Sequence, residues 1–435
     1  MASSANGSNS STPVIEIKRP DPDIINRKGE YPGLAKGTNV LVTTGGAVAE
    51  ATLSRLGLVG CTVTILGAAS AAVTRPDCLL AEGTALSPEA CAKAATGQDV
   101  VIHAGKPPPD SPARAVLAGT KNLLQAAAAA GVKAFVFGSS ASVVFGGTDL
   151  KEVSEDTPYP SHFADPSAAS IAEAEKVVLG ANADNFSGSI SGRLLTCSVR
   201  AASVYGSGGG GSGGEHGECP LLLGLASRAK AGARHVGNGE NVVDFVYAAN
   251  VAHALLLAAQ ALLHAAPGTL ASAAASASAS APPQAVAGQA FFVTDMEPVP
   301  FCEFAGRALS RLGYPAPAKG LGGVPVLLAT VLAFLLRVLA LVASPLFDLK
   351  PFLTPLRVAE ETAVRRFNTA RATRDLGYAP LWSQEEALDI TLHAAKALRN
   401  PRAKLKHVGP FTPAEVARHC SEDDAWIIVD GKVRR

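Results

Sequence analysis

The chain predicts an α/β fold with a doubly wound parallel sheet, and three observations predict it. Short apolar runs alternate with longer helical patterns from Asn39 onward. The runs are continuous rather than alternating, so each strand needs cover on both faces. A glycine pair, Gly45-Gly46, follows the first run at once. Asn39-Val-Leu-Val-Thr-Thr44 reads as the first buried strand, with a helix from Ala49 to Leu56 behind it. Val63-Thr-Ile-Leu66 supplies the second strand. Asp99-Val-Val-Ile-His103 and Lys133-Ala-Phe-Val-Phe-Gly138 supply two more. Between these last two lies an Ala/Leu helix, Ser111 to Ala130, stopped by Gly131.

Composition narrows the function classes. The 435 residues suffice for two or three units of roughly 100–200 residues each. With 38 basic against 37 acidic residues the net charge is +1, which removes the electrostatic case for a nucleic-acid partner. Only 17% of residues are charged and 48% are hydrophobic, enough for a large core with an apolar surplus left for lipid. The seven cysteines, at 61, 78, 91, 197, 219, 302 and 420, show no metal-ligand spacing and fit a reducing compartment; no metal site is expected.

Residues 1–37 read as a lead-in whose first thirteen positions form a disordered polar tail, without the features of a secretory signal. The Gly/Ser run Gly206 to Gly214 and the Ser/Ala run Ala271 to Pro283 read as flexible surface insertions. Within 321–348, residues 326–343 are the most apolar window, bracketed by Pro325 and Pro345. A helix of that length reaches about 27 Å, just short of a ~30 Å hydrocarbon core. Arg337 sits near its middle. A buried core helix and a spanning helix both remain open. The favoured reading lies in one leaflet, with Arg337 snorkelling to the headgroups.

A strand, then glycines, then a helix is the dinucleotide fingerprint, because glycines let the backbone approach a pyrophosphate at the helix N-terminus. The segment is Thr44-Gly45-Gly46-Ala47-Val48-Ala49-Glu50-Ala51. Of the three glycines that the short-chain dehydrogenase version wants, at the positions of Gly45, Val48 and Ala51, only the first is present. Val48 is expected to project into the space a phosphate needs. The ribose-binding acid expected after the second strand is replaced by Gly67. Thr44, Gly45, Gly46, Val48, His103 and Ala104 are the candidate cofactor residues, for a weakened NAD or NADP site. His103 itself reads as structural.

Further segments carry a family resemblance. They are Pro107-Pro108-Pro109, Gly119-Thr120-Lys121-Asn122, Ser139-Ser140-Ala141-Ser142-Val143 and Val178-Leu-Gly-Ala-Asn182. Gly237-Asn-Gly-Glu-Asn-Val-Val-Asp-Phe245, Glu297-Pro-Val-Pro-Phe301, Thr354-Pro355-Leu356-Arg357-Val358-Ala359 and Leu376-Gly377-Tyr378 follow in order. Over about residues 38–400 the chain resembles the 3β-hydroxysteroid dehydrogenase family of extended short-chain dehydrogenases, nearest the decarboxylating sterol-4α-carboxylate 3-dehydrogenases. The resemblance implies a Rossmann-type NAD(P)-binding domain with a substrate lobe over 38–320, and C-terminal helices over 349–405. It also implies a sterol substrate, membrane lipid and other sterol C4-demethylation enzymes as partners, and a place on the cytoplasmic face of the endoplasmic reticulum membrane.

In that family a tyrosinate takes the proton of the 3β-hydroxyl while hydride passes to NAD(P)+, and a lysine four residues later lowers the tyrosine's pKa. Counting back from Val178–Asn182, the tyrosine position falls on Ser167 and the lysine position on Ile171. The supporting asparagine falls on Val116, and the serine on Ser140, with Ser142 as a second candidate. No Tyr-x-x-x-Lys occurs anywhere. The implied activity is therefore oxidation of a 3β-hydroxysterol 4α-carboxylate with decarboxylation; the alternative is a catalytically impaired scaffold or sterol binder. Tyr159 and His162 are candidates for a relocated base, while Asp244 reads as a structural partner in the Gly237–Phe245 turn.

Residues 406–435 resemble the opening of a cytochrome b5-type domain. Thr412, Pro413 and Glu415 make a capped helix start, Ala425–Val429 a strand and Asp430-Gly431 a turn. The segment stops before any ligand turn, so no haem is expected to bind.

Overall fold

The computed structural model describes residues 34–67, 78–104, 114–163, 166–182, 194–206, 220–230, 235–266, 286–314, 324–343, 353–399, 427–429 and 432–434. The polar tail, the Ser/Ala insertion, the Phe411–Glu415 helix start and the Asp430-Gly431 turn lie outside the described residues, as does the Gly/Ser insertion beyond Gly206. The chain divides into two units, Met1–Ala395 and Lys396–Arg435. In the second, Ile427–Val429 and Lys432–Arg434 form an antiparallel pair.

The first unit opens with β1 (Asn39–Thr43), α1 (Ala47–Val59), β2 (Thr62–Gly67), β3 (Cys78–Glu82), α2 (Pro88–Ala95), β4 (Val100–His103), α3 (Ala115–Ala129) and β5 (Ala134–Ser140). It continues through β6 (Leu150–Val153), α4 (Pro166–Gly180), β7 (Leu195–Ala201), β8 (Ser203–Tyr205), α5 (Pro220–Lys230), β9 (Val242–Val243), β10 (Phe245–Tyr247) and α6 (Ala248–Ala265). Then come β11 (Ala290–Val293), β12 (Val299–Pro300), α7 (Phe301–Arg311), α8 (Val326–Ala343), α9 (Pro355–Thr362), β13 (Arg365–Phe367), α10 (Ala370–Leu376) and α11 (Gln384–Arg399), which runs past the end of the first unit at Ala395.

Seven strands form one sheet in the order β11-β7-β5-β4-β1-β2-β3, with every pair parallel. Winding starts at β1 and reverses between β1 and β4, which is the doubly wound arrangement expected. Alternation along β1 shows why it needs two covers. Val40 and Val42 join the core beneath α1 and α6, while Leu41 joins the core beneath α2 and α3. The predicted strand over 133–138 runs on to Ser140, and the helix predicted from Ser111 is described from Ala115.

Two apolar helices of equal length meet opposite fates. α6 is long and apolar enough to cross a membrane, yet it is largely buried; Ala248 and Ala252 pack on Ala51 of α1. α8 stands on the surface. Its alanines Ala329 and Ala333 bury against Val236 and Val358, while Leu327 is 78% and Leu341 73% exposed. The buried-core reading of 326–343 is therefore wrong: only Ala329 and Ala333 are fully buried, Leu336 is half-buried, and most of the large side chains are exposed.

A second sheet, β12-β9-β13-β6, brings distant segments together. Asp244 clamps β13 to it: its N–H donates to the Arg365 carbonyl and its carboxylate accepts from the Phe367 N–H, both at 2.8 Å. Asp244 is structural as expected, but these partners lie on β13 and not within the Gly237–Phe245 turn. Burial pushes its carboxyl up to about 6.

Candidate active site

β5 ends in the serine candidate. Ser140 is extended, and its Oγ accepts the Ser142 N–H at 3.2 Å and the Ser142 hydroxyl at 2.8 Å. The two hydroxyls line a cavity of about 210 Å³ together with Phe145, Ala168, Ser203, Glu360, Arg365 and Phe367. Arg365 donates through Nη2 to the Glu360 carbonyl at 3.0 Å. Its Nε is buried and has no hydrogen-bond partner among the described residues. Burial lowers the guanidinium pKa while the nearby Glu360 charge raises it. A half-buried arginine whose buried Nε–H is unsatisfied, beside two hydroxyls, is suited to an anionic ligand that also carries a hydroxyl or carbonyl.

The helix bearing the tyrosine and lysine positions is held in a definite register. Glu175 on α4 is fully buried and takes Arg200 Nε and Nη2 at 2.9 and 2.7 Å, the Ser198 hydroxyl at 2.8 Å and the Tyr159 hydroxyl at 2.7 Å. Ser167 and Ile171 lie two turns and one turn before Glu175 and share its face. Ser167 is exposed, next to the cavity-lining Ala168. Ile171 is half-buried and packs against both cores. Val116 packs on the core under α3, and its carbonyl accepts the Thr120 hydroxyl.

The relocated-base candidates fare differently. Tyr159 is bound to Glu175 and Arg200, and burial with the neighbouring carboxylate pushes its hydroxyl up to about 12. It is a structural donor, which overturns its candidacy as base. His162 is exposed.

After the C-terminal end of β1, Gly45 and Gly46 adopt φ of 124° and 89°, and a Cβ on Gly46 would meet nothing within 4 Å. This backbone is open in front of the α1 N-terminus, so the residues fit a diphosphate. Val48 corrects the expectation that it fills the phosphate's place. Its side chain packs onto the main core and the Ala51–Ala248–Ala252 cluster. Thr44 donates to the Leu66 carbonyl at 3.3 Å. Ala104, at the end of β4, is buried; a Cβ on Gly138 would lie 3.1 Å from its Cα. His103 is buried between Thr43 at 3.0 Å and Thr120 at 3.1 Å, and burial pushes its pKa down to about 4. It is neutral and structural, as expected. The described residues contain no cluster of three or more potential metal ligands.

Sequence reasoning missed Arg365 and the Glu175–Arg200 pair. The one available signal was the Arg365-Arg366 doublet between Val364 and Phe367, cationic residues inside an apolar stretch.

The parallel sheet and its reversal between β1 and β4 define a Rossmann-type fold of the short-chain dehydrogenase kind. A short-chain dehydrogenase/reductase superfamily protein from Agrobacterium tumefaciens, solved with bound NAD, matches with TM-score 0.55 at 17% identity, over 83% of this chain and 98% of its own. Residues 71–321 match the 3-beta hydroxysteroid dehydrogenase/isomerase family, and the chain belongs to it. The mouse sterol-4-alpha-carboxylate 3-dehydrogenase, decarboxylating, is 33% identical over 313 residues, which is 70% of this chain and 76% of that protein. An Arabidopsis thaliana 3beta-hydroxysteroid-dehydrogenase/decarboxylase, isoform 2, is 32% identical over 74% of this chain but only 53% of its own length.

Proposed function

We propose that this chain binds a 3β-hydroxysterol bearing a C4 carboxylate, together with NAD(P), and oxidises the hydroxyl with loss of the carboxylate as CO2. The observation that supports this reading is the cavity that sets the Ser140–Ser142 hydroxyls and the Arg365 guanidinium around one space. When bound, the nicotinamide supplies the hydride acceptor. Ser140 would hydrogen-bond the reacting C3 oxygen, and Arg365 the carboxylate. Once C3 is a ketone, breaking the C4–carboxylate bond leaves its electron pair on an enolate oxygen, which the Ser140 hydroxyl stabilises. Proton removal is the weak step. Ser167 and Ile171 carry no charge, and loss of a general base slows such a step by about 10²–10⁴. The same two residues favour a second reading, in which the sterol and cofactor bind without turnover.

The proposal places the exposed leucines of α8 in the cytoplasmic leaflet of the endoplasmic reticulum membrane, where the sterol and other C4-demethylation enzymes are met. Titration with NAD+ and NADH, followed by assay on a 3β-hydroxysterol 4α-carboxylate, tests the function. The dehydrogenase reading predicts saturable binding and a slow rate that climbs with pH without a plateau, as hydroxide takes the proton. Binding with no product supports the second reading. Failure to bind either ligand sinks both.

A further inference from the structure

Two residues of β13 reach the candidate cavity, Arg365 and Phe367, and Arg366 between them does not. Side chains alternate along a strand, so the two share a face while Arg366 takes the other, where it pairs with Glu152 at 3.5 Å. A slip of β13 by one residue would exchange the two arginines. Pairing with β6 does not fix that register. Arg365 lies opposite Leu150 and Phe367 opposite Val153, so β6 takes three steps where β13 takes two, and Glu152 within the bulge has φ 59°. Pairing with β9 holds at a single position, Arg365 with Val243.

Asp244, the residue after Val243, supplies what these short ladders leave open. It is buried, and it bonds to three residues of the cavity wall. Its N–H donates to the Arg365 carbonyl at 2.8 Å, its carboxylate Oδ2 accepts the Phe367 N–H at 2.8 Å, and its carbonyl accepts the Ser203 N–H at 3.3 Å. Arg365, Phe367 and Ser203 all line the cavity, the first two from β13 and the third from β8. The bonds to β13 grip it on either side of Arg366, and the side chain alone provides the second half of that grip. A hydrogen bond accepted by a carboxylate is roughly twice as strong as one accepted by a neutral group.

We propose that Asp244 is a positioning residue of this site: it fixes the register of β13, so that Arg365 and not Arg366 stands at the cavity to take the carboxylate of the ligand. The inference rests on the sterol-carboxylate reading above and adds which residue holds that arginine in place. Burial pushes the Asp244 carboxyl up. Among the charged side chains acting on it, Arg366 on β13 opposes that rise and Glu152 on β6 adds to it, while Ser203 on β8 brings no charge. The carboxylate therefore gains a proton as pH falls through about 6, and the acceptor facing the Phe367 N–H becomes a neutral one.

The test measures the affinity of the full chain for a 3β-hydroxysterol 4α-carboxylate and for the same sterol with a 4α-methyl group, by calorimetry in one detergent. NAD+ affinity and the melting temperature are the controls. The wild type is expected to prefer the carboxylate, and Arg365→Gln to lose that preference. Above pH 6, Asp244→Ala is expected to cut the preference about tenfold, and Asp244→Asn, which keeps a neutral acceptor, about threefold, with NAD+ affinity unchanged. Below pH 6 the wild type is expected to converge on Asp244→Asn. Should the alanine variant not fold, that convergence decides alone. Equal preferences of wild type and Asp244→Asn at every pH, or a loss shared equally by both sterols, overturn the role of Asp244 and leave the sterol reading standing. A wild type with no preference for the carboxylate overturns both.

Discussion

Arg200 lies buried with its Nε and Nη2 on Glu175 and its Nη1 on the Glu155 carbonyl, whereas Arg365 keeps its Nε without a partner among the described residues at the wall of a cavity. The first arrangement is structural: it locks the register of α4 against β7. Removing the charge from one side of such a buried pair leaves the other uncompensated, at about 3–5 kcal/mol. Glu175→Gln is therefore expected to lower stability by that order in denaturant unfolding, and an unchanged midpoint would refute it. Residue-level legibility follows from range. His103 was readable as structural because its strand is apolar throughout. Val48 was misread, since a β-branched residue in a glycine position looks obstructive until its side chain is seen to pack inward. Arg365 was invisible because β13 meets the Ser140 end of the sheet only through tertiary pairing of β13 with β6 and β9.

At the scale of elements, α6 and α8 are both long apolar helices, and burial separates them at once. Apolar length identifies a helix that needs an apolar surrounding; it does not say whether protein or lipid provides it. On α8 the alanines at 329 and 333 are the deciding detail, because they give a narrow protein-facing seam and leave most of the large side chains outside. Leu335→Lys with Leu339→Lys is expected to abolish flotation with phosphatidylcholine vesicles while sparing the melting temperature, as both positions are exposed. Retained flotation would rule α8 out as the lipid contact. The four predicted strands, β1, β2, β4 and β5, and the α3 helix were readable to within a few residues, since each is an apolar run ended by a glycine or a polar turn, whereas β3, β7 and β11 of the same sheet were not predicted.

For the whole molecule, the parallel sheet was legible from the alternation of runs, and the place of the crevice followed from its winding. The smaller mixed sheet was not, because its strands are two to four residues long and come from distant parts of the chain. A ligand that binds only the folded crevice stabilises the unit by mass action, about 2.7 kcal/mol at a hundredfold excess over Kd. Thermal unfolding with saturating NAD+ is expected to shift upward by a few degrees, and a melt that ignores NAD+ would count against an intact cofactor crevice.

α8 packs on α9 through Ala329, Ala333 and Val358, and the chain passes from the end of α9 at Thr362 almost directly to Arg365 at the cavity. With α8 seated in a leaflet, a sterol would reach the cavity by lateral search in two dimensions. Occupancy would then follow the sterol's mole fraction among the surrounding lipids, whatever the aqueous volume. A weak site can stay filled under that rule, because the membrane confines its ligand to a thin sheet.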